Sequence, residues 1–117
     1  MTNALWAYAA LAVAGLLVIR RLKGGSRVSP NVVTEKIRSG AKVVDVRSPG
    51  EFRGGAYPGA VNIPVGELGR RLQEVPKDKP VVLYCASGAR SAMAARVLKD
   101  AGYPDVVNAG GLGDMPR

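Results

Sequence analysis

The sequence lacks histidine, contains one cysteine, Cys85, and is poor in aromatic residues, which make up 5% of its 117 residues. Without histidine and with a single thiol, most zinc and haem ligand sets are excluded, and so is an internal disulfide. We therefore expect no metal and no cofactor. Any covalent chemistry on the sulfur must be completed by an external thiol or nucleophile. A reducing compartment suits such a chain.

The charge is strongly positive but unevenly placed. The formal net charge is +8, from 17 basic and 9 acidic residues. Four of the basic residues form one cluster near the amino terminus, Arg20, Arg21, Lys23 and Arg27, and the rest of the chain has 13 basic against 9 acidic residues. Aromatic residues do not alternate with the basic ones in the way that base stacking requires. We therefore expect no binding to nucleic acid.

The first segment has a different character from the rest. Residues 1–19 carry no charge, and residues 4–19, "ALWAYAALAVAGLLVI", are apolar on every side. At 1.5 Å per residue these sixteen span roughly 24 Å, somewhat less than a ~30 Å hydrocarbon core, and the arginines that follow can snorkel to the interface. This pattern predicts one transmembrane anchor helix over residues 1–22, which contacts lipid through residues 4–19.

Two other interpretations of this segment are open. A cleaved signal peptide would carry positive charge before the apolar run, but "MTN" carries none. A buried core helix would need covering on all sides, for which the remaining chain is too small. The positive-inside rule places the chain after Arg20 in the cytoplasm, so we expect a single-pass protein of the inner membrane, with an exported domain as the alternative. Residues 23–27, "KGGSR", indicate a basic, flexible Gly/Ser tether.

Residues 28–117 alternate between apolar runs and helical patterns. We predict helices over 29–40, 66–76 and 91–103, strands over 42–46, 59–64, 81–85 and 105–111, and a turn over 47–52. Ser29 is the expected cap of the first helix, with Pro30 in its first position. Strands alternating with short helices predict a small α/β domain whose central sheet is mainly parallel and flanked by helices.

The stretch "YCASGARS" (84–91) places Cys85 at the end of the most apolar strand, before a loop and a helix expected near Ser91. If the loop curls around the sulfur, its N–H groups and the helix N-terminus form an anion cradle that lowers the pKa of the thiol. Gly88 permits the tight backbone, and Arg90 adds a cation. The alternative is that Cys85 is simply a small buried residue.

These residues also carry a resemblance to a known family. "CASGARS" (85–91) resembles the active-site loop of single-domain rhodanese-like sulfurtransferases, and "VVDVRSPGEFRGGAYPGAVNIP" (43–64) is similar to that family's first signature. "GY" at 102–103 and "NAGG" at 108–111 fit a third, so the likeness covers about residues 28–112. Ala56 and Tyr57 stand where the family often has histidine. The chain ends in "LGDMPR" (112–117) where a tryptophan and a closing helix are common.

The resemblance implies a rhodanese-like domain over residues 28–117 that transfers sulfur. Cys85 would accept a sulfane sulfur from an anionic donor such as thiosulfate, become a persulfide, and pass the sulfur to a thiol or to cyanide. Loop N–H groups would hold the persulfide, and the residues expected to bind it are Ala86, Ser87, Gly88, Ala89 and Arg90. The shortened end implies that one side of the site is open or is completed by a protein partner.

Three further residues are expected to support the site. Ser91 follows the loop, and Asp45 matches the strand-end aspartate of the family, although it could equally be an ordinary turn-capping residue. Arg47 is expected to form a structural ion pair with Glu51, four residues further on.

Two rival functions remain. A cysteine phosphatase or arsenate reductase uses a similar loop, but with five residues between cysteine and arginine, whereas this chain has four, Ala86 to Ala89. A phosphoryl group needs the wider ring of donors, so loop length favours sulfur transfer. The other rival is a catalytically silent rhodanese-like module that recruits a partner to the membrane.

Overall fold

The computed structural model describes residues 25–117, in which the strands form one sheet with all pairs parallel. The strands are β1 (Lys42–Asp45), β2 (Val61–Asn62), β3 (Val81–Cys85) and β4 (Val106–Gly111), in the order β2-β1-β3-β4. Parallel register places Asp45 beside Tyr84, so β1 and β3 end at the same edge. The expected parallel α/β architecture is confirmed for this part of the chain.

The predicted membrane anchor, residues 1–22, lies outside the described residues. Within residues 25–117 the structure contains no helix that combines the length and the apolar character needed to cross a membrane.

Residues 25–117 also contain three α-helices and three 3₁₀ turns. The helices are α1 (Pro30–Arg38), α2 (Pro49–Arg53) and α3 (Ala89–Asp100), and the 3₁₀ turns are Leu68–Arg70, Leu72–Glu74 and Leu112–Asp114. α1 begins with proline after Ser29, as predicted, although the Ser29 side chain makes no capping hydrogen bond. α2 replaces the predicted turn, because Ser48 and Glu51 form a reciprocal capping box that organises one short helix.

The predicted helix over residues 66–76 is wrong, because this segment forms two successive 3₁₀ turns. Gly66 and Gly69 lower its helix propensity. The segment packs against the apolar core. Leu68 is buried in the first turn, Leu72 packs against the core from the second turn, and Val75 is buried just after it.

Alternate side chains of β3 face opposite sides of the sheet. Val81, Leu83 and Cys85 pack in the cluster that contains Ala94 and Leu98 of α3. The buried residues of this cluster are Val44, Val46, Ile63, Leu68, Val75, Val81, Leu83, Cys85, Ala94, Ala95, Leu98, Tyr103 and Val106. Val82 and Tyr84 pack on the other side with Val33 of α1. This two-residue period places Cys85 beneath α3.

Residues 25–28 lie against β4. Gly25 is buried, and its carbonyl accepts a hydrogen bond from Asn108 Nδ2 at 2.9 Å. Arg27 forms a parallel bridge with Asn108, and Val28 N donates to Asn108 O at 2.9 Å. Residues 25–27 therefore differ from the flexible tether expected there, since their backbone is hydrogen-bonded to the domain.

Candidate active site

Cys85 ends β3 at the carboxyl edge of the sheet and is fully buried. Its Sγ accepts a hydrogen bond from Gly88 N at 2.9 Å and lies 3.3 Å from Ser91 Oγ. Ligands of parallel α/β sheets bind at this edge, beyond the carboxyl ends of the strands. The Cys85 thiol therefore lies at the edge of the sheet where parallel α/β proteins bind their ligands.

Hydrogen bonds around Sγ make Cys85 more acidic than an ordinary cysteine. Burial alone would raise the pKa of the thiol, because it disfavours the charged form. The Ser91 hydroxyl and the N–H groups of Ser91, Gly88 and Ser87 act in the other direction, and the net effect is a lowered pKa. This result separates Cys85 from an inert core cysteine, whose pKa would rise.

The loop after Cys85 is shorter than expected. Gly88 has a φ of +105°, in the left-handed region, and serves as the N-cap of α3. α3 begins at Ala89 rather than near Ser91, so Ala89 and Arg90 belong to its first turn. Of the five predicted binding residues, Ser87 and Gly88 direct N–H groups to the sulfur, whereas the carbonyl of Ala86 lies close to Gly111.

Arg90, expected to attract an anionic donor, binds Glu51. Its Nη1 lies 2.7 Å from Glu51 Oε1, and its Nη2 lies 3.0 Å from Oε2. The Ser48 backbone N–H and hydroxyl also donate to Oε1, at 3.2 and 3.0 Å. Arg90, with help from Ser48, lowers the pKa of Glu51 to about 2. The predicted Arg47–Glu51 ion pair is therefore wrong.

Arg47 instead forms a buried ion pair with Asp45. The Arg47 guanidinium donates to the Asp45 carboxylate at 2.7 and 3.1 Å, and the Arg47 backbone N–H donates to it at 2.9 Å. Arg47 Nη2 also donates to Gly55 O at 2.6 Å. The hydrogen bond that Arg47 donates to Asp45 raises the pKa of Arg47. Asp45 thus caps the turn after β1, and Arg47 joins this turn to Gly55, just after α2. The supporting role of both residues at the site stays a prediction.

Asn108 was missed in the sequence analysis. Its Oδ1 accepts from the Ser91 hydroxyl at 2.6 Å and from Gly110 N at 2.8 Å. Its Nδ2 donates to Gly25 O at 2.9 Å and to Gly88 O at 3.3 Å. The buried amide therefore orients Ser91, the hydroxyl that contacts the sulfur. The available signal was an asparagine inside an otherwise apolar strand, because buried polar side chains need partners.

The end of β4 forms the wall next to the loop. Gly111 N donates to Asp114 Oδ2 at 2.8 Å, and Asp114 forms an ion pair with Arg27 at 3.4 Å. Met115 is buried with the α1-side cluster. Residues 111–115 therefore cover part of the side of the site that was expected to be open or completed by a protein partner. The partner itself stays a prediction. Within residues 25–117 no three histidine, cysteine, aspartate or glutamate side chains are grouped so that they could hold a metal ion.

Comparison with known proteins agrees with this geometry. The model of the rhodanese-like domain matches residues 29–113. A sulfurtransferase of Allochromatium vinosum is 44% identical over 66 residues, which are 56% of this chain and 62% of that protein. The thiosulfate sulfurtransferase PspE of Escherichia coli K12 is 40% identical over 78 residues, 63% of this chain and 75% of that protein.

A solved structure gives the same result. The human single-domain sulfurtransferase TSTD1 superposes with a TM-score of 0.62 at 34% identity, over 73% of this chain and 88% of that one. The match to the Allochromatium protein covers less than two thirds of its length. Because the family model spans most of the chain and the sheet, loop and cysteine occupy the matched region, this chain belongs to the rhodanese-like domain family.

Proposed function

We propose that this chain is a sulfurtransferase in which Cys85 carries a sulfane sulfur as a persulfide. The observation that supports this most is the pair of contacts on Sγ, from Gly88 N at 2.9 Å and Ser91 Oγ at 3.3 Å. The N–H donated by Gly88 favours the thiolate, which is the nucleophilic form of cysteine. The relatives named sulfurtransferase and thiosulfate sulfurtransferase support the same reaction class.

The reaction has two steps. The Cys85 thiolate attacks the outer sulfur of thiosulfate, a new S–S bond forms, and sulfite leaves with the electron pair of the bond that breaks. The terminal sulfur of the resulting persulfide is then attacked by a thiolate or by cyanide, and Cys85 leaves again as thiolate. Neither step needs a metal or an external oxidant, which suits a chain with one thiol.

The site is less suited to phosphoryl transfer. Four residues separate Cys85 from Arg90, which leaves a ring of donors narrower than the one a tetrahedral phosphoryl group needs. The Arg90 guanidinium, which a phosphatase would use to hold phosphate, is already bound to both Glu51 carboxylate oxygens.

Mass spectrometry tests the proposal directly. The full-length chain, kept in detergent because of its apolar run, is incubated with thiosulfate or with an organic persulfide and its intact mass is recorded. We expect an adduct of one sulfur atom that is lost on reaction with cyanide and is absent from Cys85→Ser. Ser39→Ala, an exposed hydroxyl change on the opposite side of the sheet, serves as the matched control and should form the adduct. No adduct with either donor would refute the proposal and leave the silent recruitment module as the function.

We also propose that residues 1–22 anchor the protein in the inner membrane with the domain facing the cytoplasm. The support is the uncharged run followed by the basic cluster at Arg20, Arg21, Lys23 and Arg27. Fusions of alkaline phosphatase and of green fluorescent protein at Arg117 test the orientation. We expect fluorescence without phosphatase activity, and the opposite pattern would show that the domain is exported.

A further inference from the structure

Two arginines border the Cys85 loop, and both are paired with carboxylates. Arg90 follows the loop and binds Glu51 through two hydrogen bonds. Arg27 lies against Gly110, whose Cα is near Gly88, and forms an ion pair with Asp114 at 3.4 Å. An anion that reaches the loop therefore meets cations whose charge is already balanced. The donors left for it are the backbone N–H groups around Sγ.

Glu51 is held in place independently of Arg90. Its backbone N–H donates to Ser48 Oγ at 3.2 Å, and its Oε1 accepts from the Ser48 backbone and hydroxyl. This capping box fixes the carboxylate at the start of α2. Its pKa of about 2 keeps it ionised at any physiological pH. Glu51 is therefore a negative charge beside the loop, held there by the capping box as well as by Arg90.

We propose that Glu51 is a specificity-determining residue that disfavours dianionic sulfur donors and so directs the site toward organic persulfides, which carry at most one negative charge on their sulfur atoms. This inference rests on the proposed sulfurtransferase function. Thiosulfate carries two negative charges, and beside Arg90 it must compete with a carboxylate that is already bound there. An organic persulfide needs only the N–H donors of Gly88 and the first turn of α3 to hold the sulfur that is transferred.

The transfer step from such a donor balances without a further reagent. The Cys85 thiolate attacks the terminal sulfur of R–S–SH, the donor's S–S bond breaks, and R–S⁻ leaves with the electron pair. The product is Cys85–S–SH, which loses its proton to solvent. The donor sulfur keeps its oxidation level, and the thiolate released takes up a proton from water.

Glu51→Gln removes the negative charge of the side chain and keeps the hydrogen bonds of the capping box. The glutamine amide oxygen can still accept from Ser48, because a capping box accepts either residue. Glu35→Gln is the matched control, since Glu35 pairs with Arg38 at 3.2 Å in an exposed position on α1. α1 packs on the face of the sheet opposite to Cys85. Both variants change the net charge equally.

The experiment measures KM and kcat for the full-length chain with thiosulfate and with the persulfide of 2-mercaptoethanol. Glu51→Gln should lower the KM for thiosulfate by about fivefold, an effect limited by solvent screening because both side chains of the pair are 37% exposed. The KM for the persulfide should change by less than about twofold, as should kcat for both donors. Added salt should shrink the thiosulfate effect, and Glu35→Gln should behave as the wild type.

The measured KM values distinguish a failure of this inference from a failure of the proposed function. If the wild type transfers sulfur and Glu51→Gln leaves the ratio of the two KM values unchanged, Glu51 does not set specificity and this inference is overturned. If the wild type transfers sulfur from neither donor, the proposed function fails and the inference fails with it. Thermal midpoints of the variants confirm that each compared protein is folded.

Discussion

The buried ion pair between Asp45 and Arg47 gives the sharpest prediction about stability. The Asp45 side chain is 0% exposed and the Arg47 side chain 8% exposed, and they are joined at 2.7 Å. Asp45→Ala leaves the guanidinium with Gly55 O at 2.6 Å and the Tyr84 ring at 5.7 Å. Removing one partner of a buried pair costs about 3–5 kcal/mol, because the other charge stays desolvated. That is a large part of the 5–15 kcal/mol typical of a domain.

Urea denaturation followed by circular dichroism measures this loss. With a slope of roughly 1.5 kcal/mol per molar urea, the midpoint of Asp45→Ala should fall by about 2–3 M. The double variant Asp45→Ala/Arg47→Met removes both charges and should recover part of the loss. Glu35→Ala, which breaks an exposed pair, should cost less than about 1 kcal/mol. A loss below about 1 kcal/mol for Asp45→Ala would refute the assignment of the pair as a main support of the β1–α2 connection.

Three further predictions concern the loop and its supports. Ser91→Ala removes the hydroxyl 3.3 Å from Cys85 Sγ, so the pKa of the thiol should rise, and the pH profile of alkylation by iodoacetamide should move to higher pH. Gly111→Ala places a methyl group against the carbonyl of Ala86, which should displace the loop and lower kcat for sulfur transfer about tenfold or more with little change in helix content. Tyr103→Phe removes a hydroxyl that donates to two backbone carbonyls of the 3₁₀ segment, at 2.7 and 2.9 Å, and should cost about 1–3 kcal/mol by urea denaturation.

Each of these changes has its own control. Ser39→Ala should leave the alkylation profile in place, and a profile unmoved in Ser91→Ala would contradict the assigned contact. Gly113→Ala meets no atom within 4 Å and should retain activity, so equal losses in both glycine variants would argue against a specific clash. Tyr57→Phe is the control for Tyr103→Phe. An equal loss of unfolding free energy in both variants would contradict a specific contribution of the Tyr103 hydroxyl.

The strands and long helices could be predicted from the sequence because local patterns determine them. β3 is a run of apolar and β-branched residues bounded by Pro80, and α3 combines alanines with a helical spacing of larger apolar side chains. Residues 66–76 were mispredicted because their apolar spacing also fits a helix. The structure forms two successive 3₁₀ turns there, and Gly66 and Gly69 lower the helix propensity of the segment.

The parts of the site formed by residues close together in the sequence could be predicted. The contacts between residues far apart in the sequence could not. Cys85, Gly88 and Ser91 lie within seven residues, so one strand, one loop and one helix start suffice to bring them together. Glu51 and Arg90 are 39 positions apart, and their contact depends on how α2 lies relative to α3. The spacing rule for helices favoured Arg47 as the partner of Glu51, but Arg47 is drawn to the buried carboxylate at the end of β1.

The hydrogen bond between Gly25 and Asn108 bears on where the folding unit starts. The family match begins at residue 29, but the carbonyl that accepts from Asn108 Nδ2 lies four residues earlier. A fragment cut at residue 29 would leave that donor with only Gly88 O, at 3.3 Å, and an unsatisfied buried donor costs about 1–3 kcal/mol. The same amide holds Ser91 beside the thiol. A shortened version in which the Asn108 amide keeps this partner, and with it the geometry of Ser91, must therefore begin at or before Gly25.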